Sequence, residues 1–330
     1  MYKYRLVFLG AILCSIWCCS GYQSSKMART DHPATFVDQH GYLNVVAGQL
    51  LDQNNEPIVL RGLSLGWHNW WHRFYNEETI GWLHTDWNCH VIRVPIGVEP
   101  EGAYLNRPDF ALEKLYLVVD AAIARGMYVI VDWHSHGIHT QEAVDFFTTV
   151  ATKYADYPNM IYEIYNEPVN SSWEEIKQYA EKVIAAIRMV DKRNVILVGT
   201  PNWGQDIHVA ADDPIEGYDN IMYTMHFYAA THKKLLRDRT DYALRKGLPV
   251  FVSECASMEA SGDGSIDYDE WTVWMDWMEQ NNLSWVVWSI SDKNETCSMI
   301  KDQSSPSSGW TNDDLKEWGK YVRTLFRNFK

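Results

Sequence analysis

The chain has 330 residues, 46% hydrophobic and 22% charged, a balance that excludes disordered and collagen-like proteins and allows one large domain or two small ones. Its formal net charge of −14 would repel a polyanion, so nucleic acid is not expected as a partner, while a neutral polymer is compatible. Tryptophan (16) outnumbers phenylalanine (10), which suggests flat apolar surfaces for stacking as well as core.

Lys3 and Arg5 precede an apolar run from Leu6 to Trp17 that is too short to span a bilayer, and a polar stretch from Gln23 to Arg29 follows. This is the pattern of a secretory signal over 1–19 and a polar tether over 20–33. Cys14, Cys18 and Cys19 lie within or at the end of the run, as in a bacterial lipoprotein signal, although Trp17 is bulky for a cleavage site that prefers small residues. Lipid attachment at Cys18 or Cys19 and ordinary cleavage are the two alternatives. Either way the protein is expected to be exported: secreted, periplasmic or a cell-surface lipoprotein anchored to the membrane. Cys89, Cys255 and Cys297 remain, an odd number without metal-ligand spacing, and are expected as buried free thiols.

The domain expected over 34–330 opens with a hairpin between Phe36 and Leu60, its turn at Asp52–Pro57. Strand-length apolar runs then follow at Ile58–Leu63, His90–Val94, Tyr128–Asp132, Met160–Tyr165, Val195–Val198, Ile221–Met225, Pro249–Val252 and Trp285–Trp288. They are continuous rather than alternating, as in parallel strands covered on both faces, and recur at roughly the ~30-residue period of a βαβ unit. Helical patterns fill the gaps. Asp109–Arg125 ends at Gly126 as C-cap; Ser172–Val190 begins at Ser172 with Glu174 and Glu175 in its first turn; Asp269–Asn281 and Asn312–Phe329 follow. The expected fold class is α/β, a (β/α)8 TIM barrel with a small N-terminal β-hairpin. A doubly wound sheet would need a glycine-rich phosphate loop after its first strand, which Arg61-Gly62-Leu63-Ser64-Leu65-Gly66 does not supply.

Reactive groups in such a barrel stand at the C-terminal strand ends. Those ends read Arg93-Val94-Pro95, Asp132-Trp133-His134-Ser135-His136, Tyr165-Asn166-Glu167-Pro168, His226-Phe227-Tyr228, Ser253-Glu254-Cys255 and Trp288 through Lys293 to Glu295. Each alone has an ordinary structural explanation; their convergence on one rim does not. Glu167 and Glu254 close the fourth and seventh strands, and paired carboxylates suit glycoside hydrolysis, one protonating the leaving oxygen and the other attacking or activating water. A retaining pair should stand ~5–5.5 Å apart and an inverting pair ~6.5–9.5 Å. Asp132, His134 and His136, with His139 near, have the spacing of metal ligands. Alternation sends Trp133 away from them and no second His-x-His pair appears, so neither metal nor cofactor is expected.

At these residues the sequence resembles glycoside hydrolase family 5, and within it the bacterial endo-β-1,4-glucanase (cellulase) subgroup. The resemblance runs from Gly48–Asp52 and Val59–Gly62 through the rest of the chain, and Ile164-Tyr165-Asn166-Glu167-Pro168 is its most specific motif. It implies Glu167 as general acid/base and Glu254 as nucleophile, with Arg93 and Tyr228 bonded to the nucleophile and His226 supporting the acid/base. It also implies Asn166 on the 2-hydroxyl of the sugar being cleaved, His134 on the same sugar and Trp288 as its platform. Trp70 would stack on a sugar, and Lys293 and Glu295 would bind one on the non-reducing side. Gly66 falls where many subgroup members carry a histidine, and Cys255 where an aromatic or aliphatic residue is common. No carbohydrate-binding module is seen, so a soluble or amorphous β-glucan, as polysaccharide or oligosaccharide, is the expected partner of a monomer. Mannan, lichenan or xyloglucan are alternatives within the family. A non-catalytic glycan-binding barrel is the alternative outside it, against which the intact Glu167 and Glu254 count.

Overall fold

The structure is a computed structural model that describes residues 1–3 and 34–329. Beyond the first three residues, the expected signal and tether, with Cys14, Cys18 and Cys19, lie outside the described residues.

The described body opens with helix α1 (Phe36–His40), capped by Thr35, whose side chain accepts from the Asp38 amide. Strands β1 (Asn44–Val46) and β2 (Gln49–Leu51) then pair antiparallel. The hairpin exists, but its turn is Ala47–Gly48 rather than Asp52–Pro57. Both residues take positive φ (49° and 81°), as the tightest hairpin turns require. Asp52–Glu56 forms a second turn, in which the Asp52 carboxylate accepts from the amides of Asn54 and Glu56 and Leu51 bridges Pro57. Turn-forming residues marked a real turn, and the shorter Ala-Gly turn lacked a comparable signal.

The barrel then alternates β3 (Arg61–Leu65), α2 (His68–Trp71), α3 (Glu77–Thr85), β4 (Val91–Gly97), α4 (Pro108–Ile123), β5 (Tyr128–His134), α5 (Thr140–Tyr154), β6 (Met160–Glu163) and α6 (Trp173–Val190). It continues with β7 (Val195–Val198), the single turn α7 (Pro201–Gly204), α8 (Ile207–Asp212), β8 (Ile221–Tyr228), α9 (Lys234–Arg245), β9 (Val250–Ala256), α10 (Tyr268–Gln280), β10 (Trp285–Ile290) and α11 (Glu317–Asn328). Strands β3 to β10 are parallel neighbours in chain order, and β10 returns to β3 to close the barrel. This is the expected (β/α)8 architecture. Gly126 takes φ +63° after α4, and a Cβ there would overlap Thr35, so the glycine serves both the cap and α1 beneath it.

Alternation along the strands divides the core. Ile92, Val94, Val129 and Val131 face outward against helix residues such as Phe146, Phe147, Ile184 and Ile187. Val91, Ile130, Ile161, Leu197, Met222, Phe251 and Val286 fill the lower interior, which Leu43, Leu50 and Leu60 of the hairpin region pack beneath. Two residues further along three neighbouring strands the buried interior turns charged, at Arg93, Asp132 and Glu163. That change explains why several strands run longer than their apolar stretches. Strand β8 continues to Tyr228 and β9 to Ala256 because the ladder persists where the side chains become polar. The three remaining cysteines are free and buried, as expected. No helix among the described residues is long and apolar enough to cross a membrane.

Candidate active site

Arg93 organises the barrel mouth. Fully buried on β4, it donates Nε to Glu163 Oε2 (2.7 Å), Nη1 to Glu254 Oε2 (2.8 Å) and Nη2 to Asn166 Oδ1 (2.7 Å), with Asp132 Oδ2 3.0 Å from Nη2. Burial opposes its charge, but Asp132, Glu163 and Glu254 outweigh that and push its pKa above the ordinary range. Because Arg93 occupies Asn166 Oδ1, the amide Nδ2 is left buried and without a partner among the described residues, free to donate into the cleft.

A bulge in β9 brings two consecutive side chains inward. Thr224 pairs with Phe251 and His226 with Glu254, so β9 carries one residue more than β8 over this stretch. Ser253 Oγ donates to Glu163 Oε1 (2.5 Å) and lies 2.8 Å from His226 Nε2, while Glu254 receives Arg93 on one oxygen and the Tyr228 hydroxyl (2.7 Å) on the other. Burial and the charge of Glu167 push the Glu254 pKa up, and Arg93 pulls it down. Both direct donors are arranged for the ionised form.

Glu167 stands on the loop after β6. His226 Nδ1 lies 3.0 Å from its Oε1, and His136 Nε2 lies 3.4 Å from its Oε2. Burial alone would raise its pKa, but the two histidines outweigh it and take the group down to about 2. His226 is raised to about 9: burial opposes its charge, and Glu163 and Glu167 prevail. A carboxylate oxygen of Glu167, a ring nitrogen of His226 and a carboxylate oxygen of Glu254 all lie within 4.8 Å of one another. Among the described residues this is the one His/Cys/Asp/Glu group close enough to share a cation. Its atoms are already engaged, His226 with Glu167 and Ser253 and Glu254 with Arg93 and Tyr228. The Asp132-His134-His136-His139 run does not converge: His134 Nδ1 meets Asp132 at 2.6 Å, His136 turns to Glu167 and His139 to Glu99 (3.3 Å).

The carboxylates sit between two lobes of one cleft. Glu167, Tyr228, Glu254, Ala260 and Ser261 line both. One lobe, a cavity of about 600 Å³, adds Asn202, Trp203, Gln205 and His232. The other, of about 290 Å³, adds Trp67, Trp70, Trp71, His134, His136, Trp288, Lys293 and Glu295. Trp288 is stacked with His134 at 5.4 Å between ring centroids, and its peptide bond to Ser289 is cis. Trp70 is half exposed and stacks on Trp67 at 4.9 Å; Lys293 pairs with Glu295. All the predicted site residues therefore line or directly support this cleft.

Other residues of the site were not evident from the sequence. Glu163 and Ser253 complete the buried network, and Glu163 could have been found as a carboxylate in an otherwise apolar strand. Trp203, 43% exposed, projects from backbone in the left-handed region (φ 56°), a geometry with no sequence signal. Trp67 lies edge-on to His134 at 4.3 Å. At Gly66 a Cβ would come 2.8 Å from Trp71 and 3.0 Å from Ser291, so a histidine at that position would require the Trp71 ring to move.

A sequence model of the family described as Cellulase (glycosyl hydrolase family 5) matches residues 51–294. An endoglucanase of Clostridium saccharobutylicum is 42% identical over 290 residues, covering 86% of this chain and 64% of that protein. Endoglucanase Z of Dickeya dadantii is 42% identical over 290 residues, with 86% and 66% covered, so the chain spans under two thirds of either relative. A solved structure from Cytophaga hutchinsonii superposes with a TM-score of 0.87 at 43% identity, covering 89% of this chain and 96% of that one. The catalytic domain of a Thermobifida fusca endoglucanase, solved as a variant in complex with cellotetraose, superposes at 0.84 with 31% identity and 89% and 100% coverage.

Proposed function

The chain belongs to glycosyl hydrolase family 5, and from that premise we propose that it is a retaining endo-β-1,4-glucanase acting on soluble or amorphous β-glucan. The observation that carries the reading is the pair Glu167 and Glu254 at the centre of a cleft that continues on both sides of them. A site between two lobes accepts an internal bond of a polymer, and the approach of a Glu167 oxygen to within 4.8 Å of a Glu254 oxygen supports the closer, retaining spacing of ~5–5.5 Å over the ~6.5–9.5 Å of an inverting pair. The names of the relatives support a glucan backbone.

Glu254, held by Arg93 and Tyr228, attacks the anomeric carbon and forms a glycosyl ester. Glu167 protonates the departing oxygen, then deprotonates the water that cleaves the ester. Asn166 Nδ2 donates to the 2-hydroxyl, Trp288 carries the sugar ring, and His134 contacts the same sugar. Trp70, Lys293 and Glu295 hold sugars beyond it. These steps use the chain's own groups and call for no cofactor. Export through the N-terminal leader, as a monomer with or without a lipid, completes the proposal; fatty-acid labelling of cells making the protein decides the lipid.

Azide rescue tests the roles. Glu254→Ala should regain turnover with azide and yield the α-glycosyl azide, and Glu167→Ala, given an activated leaving group, should yield the β-product. Exchanged anomers would reverse the roles, and an initially α-configured product from the unmutated enzyme would overturn the mechanism. A reducing-sugar assay across carboxymethylcellulose, lichenan, xyloglucan, xylan and mannan identifies the backbone.

A further inference from the structure

A general acid must hold a proton before the bond breaks, yet Glu167 is flanked by two histidines that favour its carboxylate. His226 binds Oε1, so Oε2 is the oxygen left to serve the leaving group. Oε2 pairs with His136, whose Nε2 lies 3.4 Å away and whose side chain is 40% exposed.

The backbone holds that ring where it stands. Glu99 Oε1 accepts from Ser135 Oγ (2.6 Å) and from the amides of His136 (3.1 Å) and Gly137 (3.0 Å), fixing the loop after β5. Trp67 stacks on the imidazole at 5.8 Å between centroids. Glu167, Glu99 and Glu254 all favour its charged form, and His134, His226, His139 and Arg93 are the cationic or titratable groups near the pair. His232 faces Glu167 from beyond β8.

We propose that His136 and Glu167 hold the catalytic proton between them, Nε2 carrying it in the free enzyme and passing it to Oε2 when a glycosidic oxygen arrives. The proposal rests on the retaining mechanism above. The proton moves from Nε2 to Oε2 and then to the leaving oxygen, which takes the electron pair of the broken C–O bond as Glu254 forms its ester. His136 is left neutral and Glu167 ionised. In the second step water attacks the anomeric carbon, its proton returns to Glu167 and is shared again with His136, and the ester electrons return to Glu254. His136 acts through Glu167 and is a positioning residue for the proton.

Two measurements test this. In the resting protein, the ring nitrogens of His136 followed by ¹⁵N NMR should titrate above the ordinary histidine range and fall back in Glu167→Gln. Titration unmoved by that substitution overturns the proposal. In His136→Gln, which can bond Oε2 but cannot carry the proton, kcat/KM for cellotetraose should fall roughly tenfold at neutral pH and above, with the alkaline limb displaced to lower pH. The loss should be much smaller on a dinitrophenyl cellobioside, whose leaving group needs no acid. An equal loss on both substrates at every pH overturns the proposal as a packing effect. The NMR arm uses no substrate, so it stands apart from azide rescue, and failure of the retaining reading is told from failure of the shared proton.

Discussion

A single histidine, His226, links the chemistry of the mouth to the stability of the barrel. Its pKa is raised to about 9 from an ordinary value of 6.5, burial being outweighed by Glu163 and Glu167. The folded protein binds this proton more tightly than the unfolded chain, so its stabilisation is complete below pH 6.5 and is lost as pH rises through about 9. Wild type should therefore lose about 3 kcal/mol of this contribution across that window. Urea titrations of wild type and His226→Gln at intervals between the two pH values should show the gap narrowing as pH rises; a constant gap would refute it. The glutamates at the centre were legible because each follows an apolar run of strand length. Partnerships such as Ser253 with Glu163, separated by 90 residues, were not, since only the crossing of strands creates them.

Whole elements decide how far the cleft reaches. The loop after β10 carries Lys293 and Glu295, and it is gripped from the β3 side of the barrel by Arg73. That guanidinium donates to the carbonyls of Gln303 (3.1 Å) and Ser305 (2.8 Å) and pairs with Asp292 (3.1 Å). Lys316 adds a second grip, donating Nζ to the carbonyl of Glu295 (2.9 Å). Arg73→Ala should raise KM for cellotetraose and longer oligosaccharides several-fold, roughly 3–10, with little change in kcat and a smaller effect on an aryl cellobioside. Equal changes on both substrates would show that the loop does not read distant sugars. Continuous apolar runs made the barrel strands readable and a capping serine fixed the start of α6, where Ser172 and Glu175 form a capping box. Periodicity gave no warning of the β9 bulge or the Ala47–Gly48 turn, because one inserted residue or one tight turn leaves hydrophobic content unchanged.

At the largest scale the barrel is a ring in which its first and last strands, β3 and β10, meet. Trp285 pairs with Arg61 and Val287 with Leu63; the amide of Leu60 donates to Ser284 Oγ (2.9 Å), and Arg61 grips Glu279 with two 2.7 Å bonds. Leu60 and Ser284 are separated by 224 positions. A ribosome adding ~5–20 residues per second therefore makes the second side of that seam about 10–45 s after the first. Throughout that interval β3 has an unpaired edge of the kind that invites pairing with other chains. A nascent chain stalled before Ser284 has left the exit tunnel should remain fully protease-sensitive, and one stalled well beyond Ile290 should be protected. Protection of the shorter chain would mean that part of the ring stands without its seam. Otherwise the newborn chain has no half-built form to rest in, and β3 stays open along one edge until β10 arrives.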